Sequence, residues 1–404
     1  MERPTRAGVA MSAFWFCSLG SLGIFFPLFS LYLRENLGLA GWQVGALLAV
    51  PPLVAVAAQP AWGVFADRTG SRARVLGMLA FGSAAGYASL QLGSGFASML
   101  VLTSILSCFS TPLVPTAVAV TFALAPNATA HAFGRYRAWG TVGYGAFVFG
   151  FPFLLQALDA AHGAEVAQGA PSEPALAAMF PVTAAVMLVA GAIALALPRS
   201  SALEVRAARG DWRRLLAHPP YVRLLVAAFL GYVALQGPMG MFPIFVRAHG
   251  GSLNTVSHLW LLMLALELPL IALSGASLER VGARGLLAAG LVAGGVRWLI
   301  CGFAPDSRWM MPAQVLHGIV VAGLVIGSPL YVEAAVPEEL RATGQNLLGM
   351  IGLSAGGLLS NLGAGLLIDA AGPDAPYRAG GVAALIVAAL LPWWLPAPHR
   401  AAES

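Results

Sequence analysis

Lysine is absent from all 404 residues, and charged side chains of every kind make up only 10% of the chain. Soluble domains carry about 25% charge, because charge keeps their surface in water. Here 58% of residues are hydrophobic, so lipid has to cover the surface instead. The missing lysine reads first as genomic base composition. A net charge of +5, all its basic residues arginine, says little about nucleic acid, and no nucleic-acid partner is expected. Cysteine is scarce too. Cys17, Cys108 and Cys301 all lie in apolar stretches, which argues against a disulfide framework, and no CxxC spacing offers a metal site. An intramembrane hydrolase would need a Ser/His pair, an Asp dyad or an H-E-x-x-H helix. None occurs, since His258 and His317 have no nucleophile near them in sequence. Neither an enzyme, a bound metal nor a cofactor is expected.

What the chain has in abundance is long apolar runs. Crossing the hydrocarbon takes about 20 apolar residues in helical form. Such runs fall near 10–33, 42–65, 73–92, 97–125, 138–158 and 175–197, then 221–247, 254–277, 284–304, 309–335, 343–368 and 378–397. The first follows Arg3 and Arg6 as a signal peptide would. Its apolar core is too long for that, and no small-x-small cleavage site follows, so it reads as a span. The expectation is an all-α membrane protein of twelve helices in two six-helix bundles, 1–198 and 221–404. A basic cytoplasmic linker, 199–220, joins them.

Arginine near helix ends is retained on the cytoplasmic side. With the N-terminus inside, seventeen arginines fall on the inner side, four (Arg34, Arg247, Arg308, Arg378) on the outer, and Arg297 within a span. Both termini are therefore expected in the cytoplasm, with the chain in a bacterial inner membrane. The linker arginines obey the inside rule, and a segment so basic also suits anionic lipid headgroups.

The halves repeat each other at one place. After the second span stands Gly63-Val-Phe-Ala-Asp67-Arg68-Thr-Gly70-Ser-Arg72, and after the eighth Gly275-Ala-Ser-Leu-Glu279-Arg280-Val-Gly282-Ala-Arg284. Glycine, acid, arginine, glycine and arginine recur at one spacing, 212 residues apart. Parallel repeats of this kind build several transporter folds. The first copy resembles the signature of the major facilitator superfamily, Gly-x-x-x-Asp-Arg-x-Gly-x-Arg. Length, spans, linker and second copy agree with that family over essentially the whole chain. The resemblance implies alternating access around a central site, with Gly63, Asp67, Arg68, Gly70, Arg72, Glu279 and Arg280 serving the gate.

Further residues narrow the resemblance. The run from Phe133 to Tyr144, FGRYRAWGTVGY, looks like the start of the fifth helix in the lactose permease and nucleoside:proton symporter branch. Glu267, Arg297 and His317 on the eighth, ninth and tenth spans match the lactose permease pattern, and Gln314-Val-Leu-His317-Gly is similar to phenylpropionate-type permeases. Drug-exporting branches carry an arginine in the fourth span, and Val101 to Ala125 has none. Two departures stand against a galactoside substrate. Lactose permeases carry an acid one turn after the histidine of the tenth span, where this chain has Val320. The acid that pairs with their fifth-span arginine is also missing, with Ala119 near its place.

A charge at the centre of a membrane helix costs about 2.5–3.5 kcal/mol on insertion scales, so it needs a reason. Glu267, Arg297 and His317 fall within a band roughly 10 Å deep at about 1.5 Å rise per residue. They read as proton-coupling residues, Glu267 foremost, in a Glu–Arg pair with a neighbouring histidine; the bland alternative is an ion pair that only fixes packing. Arg137, Thr141 and Tyr144 are spaced i, i+4, i+7 and share one helical face. With Gln236, Glu267, Gln314 and His317 they form the expected substrate-binding set, although Arg137 also reads as an inside-rule arginine. Gln59 is a weaker cavity candidate, and Asn346 and Asn361 read as packing hydrogen bonds. Glu333 is expected to bridge to Arg280 or Arg284 on the inner side, with a second titrating acid as the alternative. The function these features favour is a monomeric proton-coupled symporter importing a small polar organic solute, such as a nucleoside, sugar or aromatic acid. Its partners are the small-molecule substrate, protons and membrane lipids. A uniporter, or an exporter of drug-like or lipid-like compounds, is the alternative, and a non-transporting membrane protein a distant third.

Overall fold

The computed structural model describes residues 6–124, 130–161, 174–198 and 211–397, without side chains for a few residues within them, chiefly 268–280. Among the described residues every regular element is helical. With no water in the bilayer core, a spanning segment must pair its backbone polar groups internally, and a helix does so. Eleven described helices are long and apolar enough to cross a membrane, and Leu253–Ala265 is a shorter apolar helix. The chain is a multi-pass membrane protein with twelve helices.

In chain order these are α1 (Arg6–Glu35), α2 (Gly41–Thr69), α3 (Arg72–Leu92), α4 (Phe96–Leu124), α5 (Ala130–Ala161), α6 (Ala175–Leu195) and α7 (Pro219–Gly240). A single helical stretch, Leu253–Gly302, contains both α8 and α9, separated at Gly282 where the backbone turns to φ 69° and ψ 169°. Then come α10 (Ser307–Ala335), α11 (Thr343–Ala371) and α12 (Ala375–Trp394). A short helix, Asp211–Leu216, lies in the expected linker; residues 199–210 lie outside the described residues. Helix α5 begins at Ala130, ahead of the apolar run at 138, so the segment from Phe133 to Tyr144 opens the fifth helix and Arg135 and Arg137 are helical residues.

The two copies of the sequence repeat share a backbone feature. Gly70 (φ 62°) and Gly282 (φ 69°) both occupy the left-handed region, which glycine enters without the Cβ penalty. The repeat is thus one turn used twice.

The chain divides into two compact units, 1–39 with 50–204, and 40–49 with 205–404. In this division residues 40–49, including the first turns of α2, pack with the second unit. Asp369 of α11 explains why. Its carboxylate accepts hydrogen bonds from the Gly41 and Trp42 N–H groups, both at 2.7 Å, two of the donors that a helix start leaves unpaired. Small residues complete that seam. Gly45 lies against the Asn361 carbonyl and Gly365 against that of Gly41, with no room for a Cβ.

Within the first unit, α1 packs on α5 and α6, and α3 on α4 and α6. Glycines set the α1–α5 distance, since Gly143 meets the Phe16 carbonyl directly, the small-residue route to close helix approach in lipid. Phe25, Phe29, Tyr32, Tyr87 and Phe180 form an aromatic cluster there. Within the second unit, α9 meets α10 where Gly290 and Gly323 touch backbone to backbone, and Gly295 meets Gly381 of α12. At Pro238, which has no N–H to continue the helical ladder, Ser360 of α11 inserts its hydroxyl. It donates to the Val233 carbonyl and accepts from the Gly237 N–H, both at 2.6 Å. Helices α10 and α11 each contain a π-helical segment, Ala322–Gly327 and Leu348–Ala355.

Candidate functional site

Arg297, on α9, is 2% exposed, and its surroundings are built from three other helices of the second unit. Gln314, fully buried on α10, accepts from both Nε (3.1 Å) and a terminal nitrogen (2.8 Å) of the guanidinium. The Gln314 amide nitrogen in turn donates to the Met310 carbonyl at 2.6 Å. The other terminal nitrogen of Arg297 lies 3.1 Å from His317 Nδ1. The thioethers of Met263 (3.2 Å) on α8 and Met239 (3.7 Å) on α7 complete the ring of acceptors. Below, the guanidinium carbon sits 4.0 Å from the centroid of Trp298, a cation–π contact that strengthens when desolvated. These partners supply lone pairs and π electrons but no negative charge.

The arrangement fixes a tautomer. Arginine only donates, so His317 Nδ1 must present its lone pair, and the neutral ring carries its proton on Nε2. That nitrogen faces Glu267 Oε2 at 3.7 Å. The expected Glu–Arg pair therefore takes another form: Arg297, His317 and Glu267 stand in series, with the histidine between. A planar ring with a nitrogen on each side can touch both groups, which spacing along three helices does not reveal.

The same arginine and histidine line a cavity of about 100 Å³. Tyr232, Gln236 and Met239 of α7 form one wall, and Val320, Val321, Leu324 and Val325 of α10 the opposite one. Gln236 is thus a cavity residue as expected. Gln314 does not line this cavity: its amide is engaged by protein at both ends, and it holds Arg297 in place. Met239, Met263, Trp298 and Tyr232 went unnoticed in the sequence because apolar residues in an apolar span carry no signal.

In the first unit, Arg137, Thr141 and Tyr144 do share a face of α5. Arg137 points a terminal nitrogen at the Thr141 hydroxyl, 3.4 Å away, and lies 5.2 Å from the Trp15 ring centroid. Its partner on α1 was not legible in spacing. Of the motif expected to serve the gate, Asp67 is exposed and pairs with the half-buried Arg72 at 3.1 Å. Together with Gln59, Gly63, Pro112 and Pro115, these two line a second cavity of about 200 Å³ between α2 and α4. The side chains of Glu279 and Arg280 lie outside the described residues. Glu333 pairs with Arg341 at 3.6 Å and accepts from Gln345 at 3.1 Å. Arg284, one of its two expected partners, instead donates to the Leu395 carbonyl at 3.2 Å. Asn361 donates across the α2–α11 seam to the Leu48 carbonyl, the packing role foreseen for it.

Comparison with known proteins agrees with this architecture. The profile of the MFS_1 like family matches residues 9–379. The maltose permease of Geobacillus stearothermophilus is 28% identical over 359 residues, spanning 88% of this chain and 86% of that protein. The uncharacterized transporter YwbF of Bacillus subtilis (strain 168) is 23% identical over 383 residues, spanning 93% and 90%. Among solved structures, a mutant of the nucleoside transporter NupG superposes with a TM-score of 0.85 at 15% identity, covering 97% of this chain and 100% of that one. These relatives are transporters and not enzymes, and the NupG structure shares the fold described above. The chain belongs to the MFS_1 like family of major facilitator transporters.

Proposed function

We propose that this transporter is a proton-coupled symporter that imports a small polar organic solute across the bacterial inner membrane by alternating access. Its termini and the two motif loops face the cytoplasm in this reading. The nucleoside, sugar and aromatic-acid classes are the starting set, and the chain acts as a monomer. The relatives' names support solute transport, since one is a maltose permease and another a nucleoside transporter.

The observation that carries the coupling is the series Arg297–His317–Glu267 beside a cavity. A proton on Glu267 removes the charge facing the histidine Nε2–H. A proton on His317 Nδ1 removes the lone pair that Arg297 uses. Either event changes what the guanidinium can offer to a solute, so proton and solute occupancy become linked. Arg137, Thr141 and Tyr144 on α5 are further solute contacts in this reading, and the Asp67–Arg72 motif serves the gate. A uniporter is the second reading, favoured by Val320 where the resembled permeases carry an acid.

The test is Glu267→Gln in proteoliposomes. The variant should retain solute exchange but lose accumulation driven by a pH gradient. Wild-type accumulation in the variant would remove Glu267 from the coupling.

A further inference from the structure

We propose that the cavity beside Arg297 is a carboxylate subsite, and that the transported solute is an organic monocarboxylate with an apolar body. The inference rests on the transport reading above and narrows its substrate class.

The first ground is charge. Arg297 is buried, and the partners that hold it are an amide, an imidazole, two thioethers and two aromatic rings. A buried cation ordinarily has an anionic partner, since desolvation is offset only by a charge and hydrogen bonds together. In the resembled permeases the tenth span carries an acid one turn after its histidine. Here that position is Val320, and it lines the same cavity as Arg297 and His317. The residues that line the cavity include the cation and no carboxylate, which leaves the place of the anion to the solute.

The second ground is donor geometry. Of the five guanidinium N–H groups, Gln314 takes two and His317 one. Another points only at the thioethers of Met263 and Met239, weak acceptors that a carboxylate oxygen displaces readily. The last is not used by any of these partners. A carboxylate thus has two donors to claim on a group that Gln314 and Trp298 already hold rigid, the preorganisation that makes such bonds strong.

The third ground is the rest of the cavity. Val320, Val321, Leu324, Val325 and Leu235 offer no hydroxyl-binding groups, and the polar side chains besides Arg297 and His317 are Gln236 and the rings of Tyr232 and Trp298. A sugar presents hydroxyls on every side and would leave them unpaired against valine. An alkyl or aryl carbon next to a carboxylate fits this lining.

The experiment uses the full chain in lipid nanodiscs, titrated with hexanoate, phenylacetate, its neutral isostere phenylacetamide, maltose and uridine. Hexanoate and phenylacetate should bind, and phenylacetamide should be about 100-fold weaker, as losing two charge-assisted hydrogen bonds predicts. Val320→Glu returns an acid to the wall. It should abolish phenylacetate binding while leaving the thermal unfolding of the empty protein at or above that of the parent. Equal binding of phenylacetamide, preferential binding of maltose or uridine, no binding by any carboxylate in the series, or unchanged phenylacetate binding by Val320→Glu would each overturn the carboxylate subsite. Proteoliposome counterflow with the same solutes separates this from the broader reading. Flux of maltose or uridine alone sinks the carboxylate and leaves transport standing, whereas a protein that binds phenylacetate but moves none of the five fails as a transporter with its subsite intact.

Discussion

If Gln314 exists to hold Arg297, then removing both residues should hurt the protein less than removing Gln314 alone. Gln314→Leu takes away the acceptor of two bonds to a charged group, at 3.1 and 2.8 Å. Bonds of that class contribute about 1.5–3 kcal/mol each, and a buried group left without its partner costs more when it is charged. Neither residue can relax toward water, because Gln314 is fully buried and Arg297 nearly so. Arg297→Met leaves the Gln314 oxygen unpaired, at about 1–3 kcal/mol for one buried polar atom, plus some loss of packing on Trp298. The double variant Arg297→Met, Gln314→Leu leaves only apolar side chains at that contact, with the Met310 carbonyl and His317 Nδ1 the polar atoms that lose a partner. We expect it to be less destabilised than Gln314→Leu alone, with a coupling energy of about 3 kcal/mol, at the upper end for contacting residues. The assay is equilibrium unfolding in mixed micelles of increasing sodium dodecyl sulfate fraction, followed by far-ultraviolet circular dichroism. Additive effects, within about 0.5 kcal/mol as for independent sites, would refute the idea that the two residues form one unit.

Two further substitutions test the helix seams. Asp369→Ala removes the acceptor for the Gly41 and Trp42 N–H groups and should cost about 1–2 kcal/mol, as helix caps do. Hydrogen exchange should accelerate at those two amides first, and unchanged exchange there would contradict the capping role. Ser360→Ala withdraws the hydroxyl that bridges α7 at Pro238 and leaves the Gly237 N–H unpaired, a loss of about 1–3 kcal/mol. An unfolding midpoint equal to the parent's would show that the kink satisfies itself.

The frame of this molecule was open to reading because the bilayer makes severe demands. A run such as Ala175–Leu195 has to be apolar along its whole length, and a charge within a span, like Glu267 or Arg297, stands out against it. The glycines at 70 and 282 were visible for the same reason: only one residue type enters that turn freely. What the sequence concealed was direction and partnership. Nothing in its spacing shows that Gln314 turns to Arg297 while Gln236 turns to the cavity, since both are neutral amides in apolar helices. Met239 and Met263 are acceptors here, yet in sequence they are indistinguishable from core. The apolar run alone starts at 138 because Arg135 and Arg137 precede it, and the helix extends further back, with Arg137 lying along Trp15. Asp369 looked like one more acid at a helix end, and its role depends on a chain segment 327 residues away.

The π-helical segment Ala322–Gly327 also says something about how this gene can change. Its i→i+5 pairing fits extra chain into what would otherwise be an α turn, so α10 runs in two angular registers. His317 and Val320 are aligned by the first, Tyr331 and Glu333 by the second. Loss of a single codon within the segment would let the turn close up as regular α, with the bulge taking up the one residue removed. The same loss in a regular turn would swing everything beyond it by about 100° about the helix axis, one residue's worth of rotation. The cavity wall and the Glu333–Arg341 contact would keep their alignment only where the lost residue came from the bulge. In this segment the gene can change its length where the rest of α10 cannot.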